Sequence, residues 1–215
     1  MDAQCLLNQL VAEGYPATFS MDEFSRINSY AGKLRYADAH LTKLASGSGR
    51  TVYQIDNEKV LKIAKNGKGV AQNQIEAEPF LQKYDLTARV FESDSRGLYL
   101  EMELAKKVGR KRFEQLTGVT IEDLADYLRY ENQRHQVRAC AFCVNHSPEF
   151  IAKMSNNEFV GSLSSLNADY DFKTGDEGRL STWGEVLRDG QPTIVLVDFG
   201  LTTSVYDQFY HVELK

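Results

Sequence analysis

The alternation of apolar and polar positions changes period several times along the chain. Residues 3–13, within MDAQCLLNQLVAEG, have the spacing of a short amphipathic helix that stops at Gly14, ahead of Pro16. In SMDEFSRINSYAGKL, Ser20 precedes the next periodic run and Glu23 follows three residues later; this capping-box pattern predicts a helix over roughly 21–31. The period then shortens. HLTKLASGSGRTVYQIDNEKVLKIAKN reads as three strands, about 41–46, 51–55 and 59–64, with Gly47 and Gly49 between the first two and the turn pair Asp56-Asn57 before the third. GVAQNQIEAEPFLQKYD is helical in composition, limited or kinked by Pro79. LTARVFESDSRGLYLEMELA adds two strands around Ser95-Arg96-Gly97.

After residue 106 helical spacing dominates. TIEDLADYLRYENQRHQVRACAFCV predicts one long amphipathic helix begun by Thr120, with Asp123 in its first turn, and SPEFIAKMSNNEFVGSLSSLN a second, with Pro148 at its first position. WGEVL, the turn RDGQ and TIVLVD predict a terminal hairpin. Five strands with one helix after the third, then helices, then a hairpin, make an α+β chain of two lobes. The divisions expected are an N-terminal helical extension over 1–40, a first lobe over 41–105 and a helical second lobe over 106–215.

Composition narrows the function. The 215 residues are 42% apolar and 26% charged, enough for a sizeable core, and the net charge of −5 argues against broad electrostatic binding to nucleic acid or anionic membrane. The basic run AKKVGRKRF (105–113) reads as a solvated loop. No apolar run is long enough to span a bilayer, and the N-terminus lacks the basic and apolar regions of a signal peptide, so a cytoplasmic location is expected. Three cysteines, Cys5, Cys140 and Cys143, fit a reduced compartment. Cys140, Cys143 and His146 could form half a zinc site, but there is no second CxxC, and an i,i+3 pair on a helix reads first as core.

Four features carry candidate chemistry. The turn at Gly47, Ser48 and Gly49 can offer backbone N–H groups to a phosphate. Lys62 in VLKIA sits on the strand face opposite Leu61 and Ile63, where an inward lysine needs an anion; the following helix offers Glu76, or alternatively Glu78. Asp198 closes the apolar run IVLV, where a carboxylate can hold a divalent cation against phosphate oxygens. Their order along the chain is more specific than any one of them.

In that order the chain resembles the protein-kinase-like superfamily over about residues 41–200. LASGSGRTVYQIDNEKVLKIA is similar to the Gly-rich loop and the strand bearing the phosphate-binding lysine, and VDFGL to the metal-binding D-F-G. The resemblance implies ATP and Mg²⁺ as cofactors, Lys62 on the phosphates and paired with Glu76, Met102 behind the adenine, and the backbone of Glu103 and Ala105 hydrogen-bonded to it. For the catalytic loop two registers stay open. YDFKTGD can stand for the R-D-L-K-x-x-N segment, giving Asp171, Lys173 and Asp176. Alternatively, TGDEGRLSTWGEV makes Asp176 the acid that orients the acceptor and puts Ser181, or the nearby Thr182, at the metal-binding asparagine position. The second, preferred register resembles a short kinase-like group of tailed bacteriophages. The chain departs from the family in lacking H-R-D, in having serine for asparagine, and in ending soon after Gly200, ahead of any activation segment. The expectation is a minimal phosphotransferase acting on a protein or small-molecule acceptor. A pseudokinase-like binding or regulatory module, and adenylyl transfer on the same scaffold, are the alternatives.

Overall fold

The computed structural model describes residues 14–134, 146–170, 172 and 174–210. The helix expected over 3–13, the three cysteines, Asp171 and Lys173 lie outside them. The chain forms two compact units, Met1–Pro79 with Ala88–Leu104, and Phe80–Thr87 with Ala105–Lys215. Among the described residues no helix is long and apolar enough to cross a membrane.

The first unit is a five-stranded antiparallel sheet in the order β1-β2-β3-β5-β4, with β1 Thr42–Ser46, β2 Arg50–Gln54, β3 Lys59–Ala64, β4 Val90–Ser93 and β5 Tyr99–Glu103. Helix α3 (Gly67–Glu76) follows β3 and packs on it. This is the arrangement of strands and inserted helix anticipated above. The helix anticipated over 21–31 is instead two helices, α1 (Met21–Arg26) and α2 (Tyr30–His40). Ser20 caps α1, accepting the Glu23 N–H at 3.3 Å, and Ser29 starts α2 by accepting from Gly32 at 3.1 Å. These helices are no appendage to the sheet: Phe19, Phe24, Ala37 and Leu41 share one core with Tyr53, Leu61, Ile63 and Tyr99. That core takes one face of β2 and β3, leaving the opposite face for Arg50 and Lys62.

The second unit is mostly helical. It holds α4 (Arg110–Thr117), α5 (Ile121–Arg134), α6 (Pro148–Ser155), α7 (Glu158–Tyr170), the short α8 (Thr174–Glu177) and α9 (Thr203–Tyr210). A three-stranded sheet, β6 (Lys106–Lys107), β7 (Trp183–Arg188) and β8 (Gln191–Leu196), completes it. The single helix expected after Pro148 is two, because Asn157 caps a new start by accepting the Val160 N–H at 3.0 Å. The basic run is not a loop. Lys106 and Lys107 pair with Glu185 and Gly184 of β7, and α4 begins at Arg110, because buried Val108 and Phe113 anchor both pieces while Arg110 and Arg112 find Glu122 and Glu185. Phe113, Phe159 and Trp183 pack as a cluster with ring centroids 5.2–5.8 Å apart. The hairpin turns through Asp189 and Gly190, both at positive φ (52° and 75°), the signature of a tight hairpin turn.

Candidate functional site

In the first unit the site grows out of strand register. Val52 is paired with Lys62 and Arg50 with Ala64, so Arg50 and Lys62 project from the same face of the sheet. Glu76, in the last turn of α3, reaches that face with no solvent exposure. Lys62 Nζ donates to Glu76 Oε2 at 2.8 Å, and Arg50 Nη1 stands 2.7 Å from the same oxygen. Asn73 steadies the group, accepting from Arg50 at 3.4 Å and donating to the Gly97 carbonyl at 2.9 Å. Burial pushes the Glu76 carboxyl up, but the charges of Arg50 and then Lys62 outweigh it and hold the group below its usual range. Glu78 lies beyond the end of α3 and is exposed. Arg50 was not foreseen. Its signal was parity: it follows the glycine turn directly and shares the face of Lys62 across the hairpin.

The Gly47–Gly49 turn is closed by a 2.8 Å bond from Gly47 N–H to the Arg50 carbonyl. Three successive carbonyls face the start of α3. Gly47 O accepts from Lys65 Nζ at 2.8 Å, Ser48 O from Asn66 Nδ2 at 3.0 Å and Gly49 O from Lys65 N–H at 2.7 Å. In a trans peptide the C=O and the next N–H point in opposite directions, so the N–H groups of Ser48 and Gly49 aim away from α3. The approach is tight enough to require glycine at Gly69, where a Cβ would fall 2.1 Å from the Gly49 carbonyl oxygen. On β5, Met102 is buried opposite Val60, and the Glu103 N–H is engaged with the Arg89 carbonyl at 2.8 Å. Ala105, half-buried, begins the long segment of the second unit.

In the second unit Asp176 is half-buried on α8, its Oδ1 3.0 Å from Arg179. Burial raises its carboxyl above the ordinary range; Arg179 opposes this and the charge of Asp198 adds to it. Thr182, buried, donates its hydroxyl to the carbonyls of Asp176 (2.7 Å) and Arg179 (2.6 Å), closing the loop that follows α8. Its carbonyl accepts the Val197 N–H at 2.9 Å, which fastens the end of β8 one residue before Asp198. Asp198 and Ser181 are exposed, while Phe199 is buried. Next to Asp176, Glu177 is 3% exposed and takes a hydrogen bond from Asn167 at 2.9 Å. Sequence reasoning passed over both. His146 stacks on Phe150 with ring centroids 4.4 Å apart. No cluster of three or more His, Cys, Asp or Glu suited to a metal occurs among the described residues.

No family model matches the chain, and no curated protein does. Among solved structures it is similar to SAICAR synthase from Saccharomyces cerevisiae in complex with SAICAR, at 12% identity and a TM-score of 0.36, covering 74% of this chain and 73% of that one. It is also similar to APH(2")-IIa in its ternary complex with streptomycin and ATP, at 14% identity and a TM-score of 0.33, covering 81% of this chain and 71% of that one. Neither likeness assigns an activity to this chain.

Proposed function

We propose that the chain binds ATP with Mg²⁺ and acts as a kinase-like phosphotransferase. The observation that carries the reading is the buried Lys62–Glu76 pair, 2.8 Å apart on a strand and helix in the order the kinase-like resemblance requires. A buried ion pair adds little stability that apolar side chains of similar volume would not add, so its presence calls for a use beyond packing. Lys62, oriented by Glu76, is the group that would meet the α- and β-phosphates, and the Ser48 and Gly49 N–H groups offer neutral donors to the same anion. Met102, Glu103 and Ala105 are assigned to the adenine.

Asp198 and Ser181 suit Mg²⁺, which takes one or two protein ligands and completes its shell with water and phosphate oxygens. When bound, Mg²⁺ draws charge from those oxygens. Asp176 is assigned to orient the acceptor hydroxyl, with Arg179 and the Thr182 clamp fixing its position. The reading places the chain beside the short kinase-like proteins of tailed bacteriophages, working in a host cytoplasm.

A second reading, nucleotide binding without transfer, is favoured by Ser181, a weaker metal ligand than the asparagine of the kinase-like pattern. The test is thermal stability with millimolar Mg-ATP, where a saturating ligand should add about 1–3 kcal/mol. Lys62→Met should abolish the gain, and an unchanged melting temperature for the parent chain refutes both readings. Mass spectrometry of candidate acceptors then separates phosphate transfer, adenylate transfer and no transfer.

A further inference from the structure

The one hydrogen bond between Asn167 and Glu177 leaves each side chain with a second oxygen, Asn167 Oδ1 and Glu177 Oε1. Both are buried, and neither meets a hydrogen-bond donor among the described residues. Two buried acceptors on one hydrogen-bonded pair of side chains are costly unless something donates to them. A carboxyl proton is the donor that needs no additional group. We propose that Glu177 is held as a neutral carboxylic acid whose Oε1–H donates to Asn167 Oδ1, closing a two-point acid–amide pair that pins α8, and with it Asp176, onto α7. Both oxygens are then satisfied, and the Asn167 Nδ2–H···Oε2 bond already in place is the other half of the ring.

The surroundings suit a neutral group. The ionisable group acting on Glu177 is Asp176, its neighbour on α8, and a second negative charge there favours the protonated form. Arg179 is turned to Asp176. From β7, Trp183 donates its indole N–H to the Glu177 carbonyl at 2.7 Å, and from α5, Ala125 lies against Gly178. On α5, Glu122 is engaged with Arg110, Asp123 with Lys153 and Asp126 with Arg129. On α7, Asp169 accepts from the Tyr84 hydroxyl. Burial is the largest influence on Glu177 and raises its carboxyl to about 7; the Asn167 bond opposes the rise and the Asp176 charge adds to it.

Because the folded value lies above the ordinary 4.5, the pair's contribution is full below pH 4.5 and is lost as pH rises through about 7. Asp176 becomes less firmly held over the same range. Glu177 acts through Asp176 and is a positioning residue. The inference needs only the second unit and stands whether or not the chain binds nucleotide.

Glu177→Gln tests it, since glutamine can make the same two-point pair with Asn167 at every pH. Thermal unfolding of the full chain and of the variant, followed from pH 5 to pH 8, should give similar melting temperatures at pH 5 and a variant that is the more stable at pH 8. The parent-minus-variant infrared difference spectrum should hold the band of a protonated carboxylic acid at pH 5 and lose it near pH 7. A variant that is less stable than the parent at pH 8, that fails to fold, or that keeps the parent's pH slope overturns the proposal, as does absence of the protonated band at pH 5.

Discussion

Removing one member of the Arg50–Glu76–Lys62 group gives a test whose outcome depends on which member is removed. Both cations converge on one oxygen, Oε2 of a fully buried carboxylate. Glu76→Gln leaves two buried cations facing a neutral amide, and breaking a buried pair in this way costs about 3–5 kcal/mol. Lys62→Met keeps the Arg50–Glu76 pair and removes one charge-assisted hydrogen bond, worth roughly 1.5–3 kcal/mol, part of which the apolar methionine recovers. At about 2–4 °C per kcal/mol for a chain of this length, Glu76→Gln should melt roughly 6–20 °C below the parent and Lys62→Met only a few degrees below it. The single tryptophan, Trp183, reports the second unit. Calorimetry should therefore be joined to hydrogen exchange, resolved on peptides from β3 and α3. The effect should also depend on pH. Glu76 is held below its ordinary 4.5, so the stability it contributes is present above that value and is lost as pH falls through the lower folded value. Lys62→Met should therefore converge on the parent in acid. A Lys62→Met variant as unstable as Glu76→Gln at pH 7 would show that the two cations do not share the carboxylate, and would refute the reasoning.

Two other outcomes follow from the site. Gly69→Ala should loosen the glycine turn, because its methyl would need the space of the Gly49 carbonyl; overpacking of this kind costs about 1–3 kcal/mol, read as faster exchange across 47–50, and unchanged exchange would count against the close approach. Asp176→Asn should eliminate any transfer activity while the Mg-ATP shift survives, whereas full activity in that variant would remove Asp176 from the role assigned to it.

The sheet was legible because short runs rich in β-branched and aromatic residues are set off by Gly47 and Gly49, by Asp56-Asn57 and by Gly97. Helix α2 was not, and Lys33 shows why. It stands at a core position, 1% exposed, with its ammonium bonded to the Phe24 carbonyl at 2.7 Å and lying 4.0 Å from the Phe24 ring centroid. A charged residue occupying an apolar position interrupts the periodicity by which the helix would be recognised. Lys62 and Glu76 could be named because an inward lysine demands an anion. Arg50 was missed because its parity with Lys62 becomes visible only once the β2–β3 pairing is known. Glu177 was hidden for a related reason: four residues of one short helix carry no period, and a buried carboxyl looks in sequence like any surface acid. The basic run misled because charge was weighed above Val108 and Phe113.

Residues Phe80–Thr87 belong to the second unit although the chain enters them from the first and returns to it afterwards. Their partners come late. Leu86 accepts the Leu196 N–H at 2.7 Å, and Arg188 donates to the carbonyls of Asp85 and Thr87, 103 and 101 residues upstream. On a ribosome adding 5–20 residues each second, this segment would emerge roughly 5–20 s before the hairpin that completes it. The first unit's sheet, made from residues up to Leu104, can form in that interval; the second unit cannot. Neither unit is a continuous stretch of chain, so expressing residues 105–215 alone would strand the Arg188 guanidinium without its two carbonyls and leave β8 without Leu86. The order of synthesis thus imposes an order of folding, with the glycine turn and its lysine in place before Asp176 and Asp198 have been made.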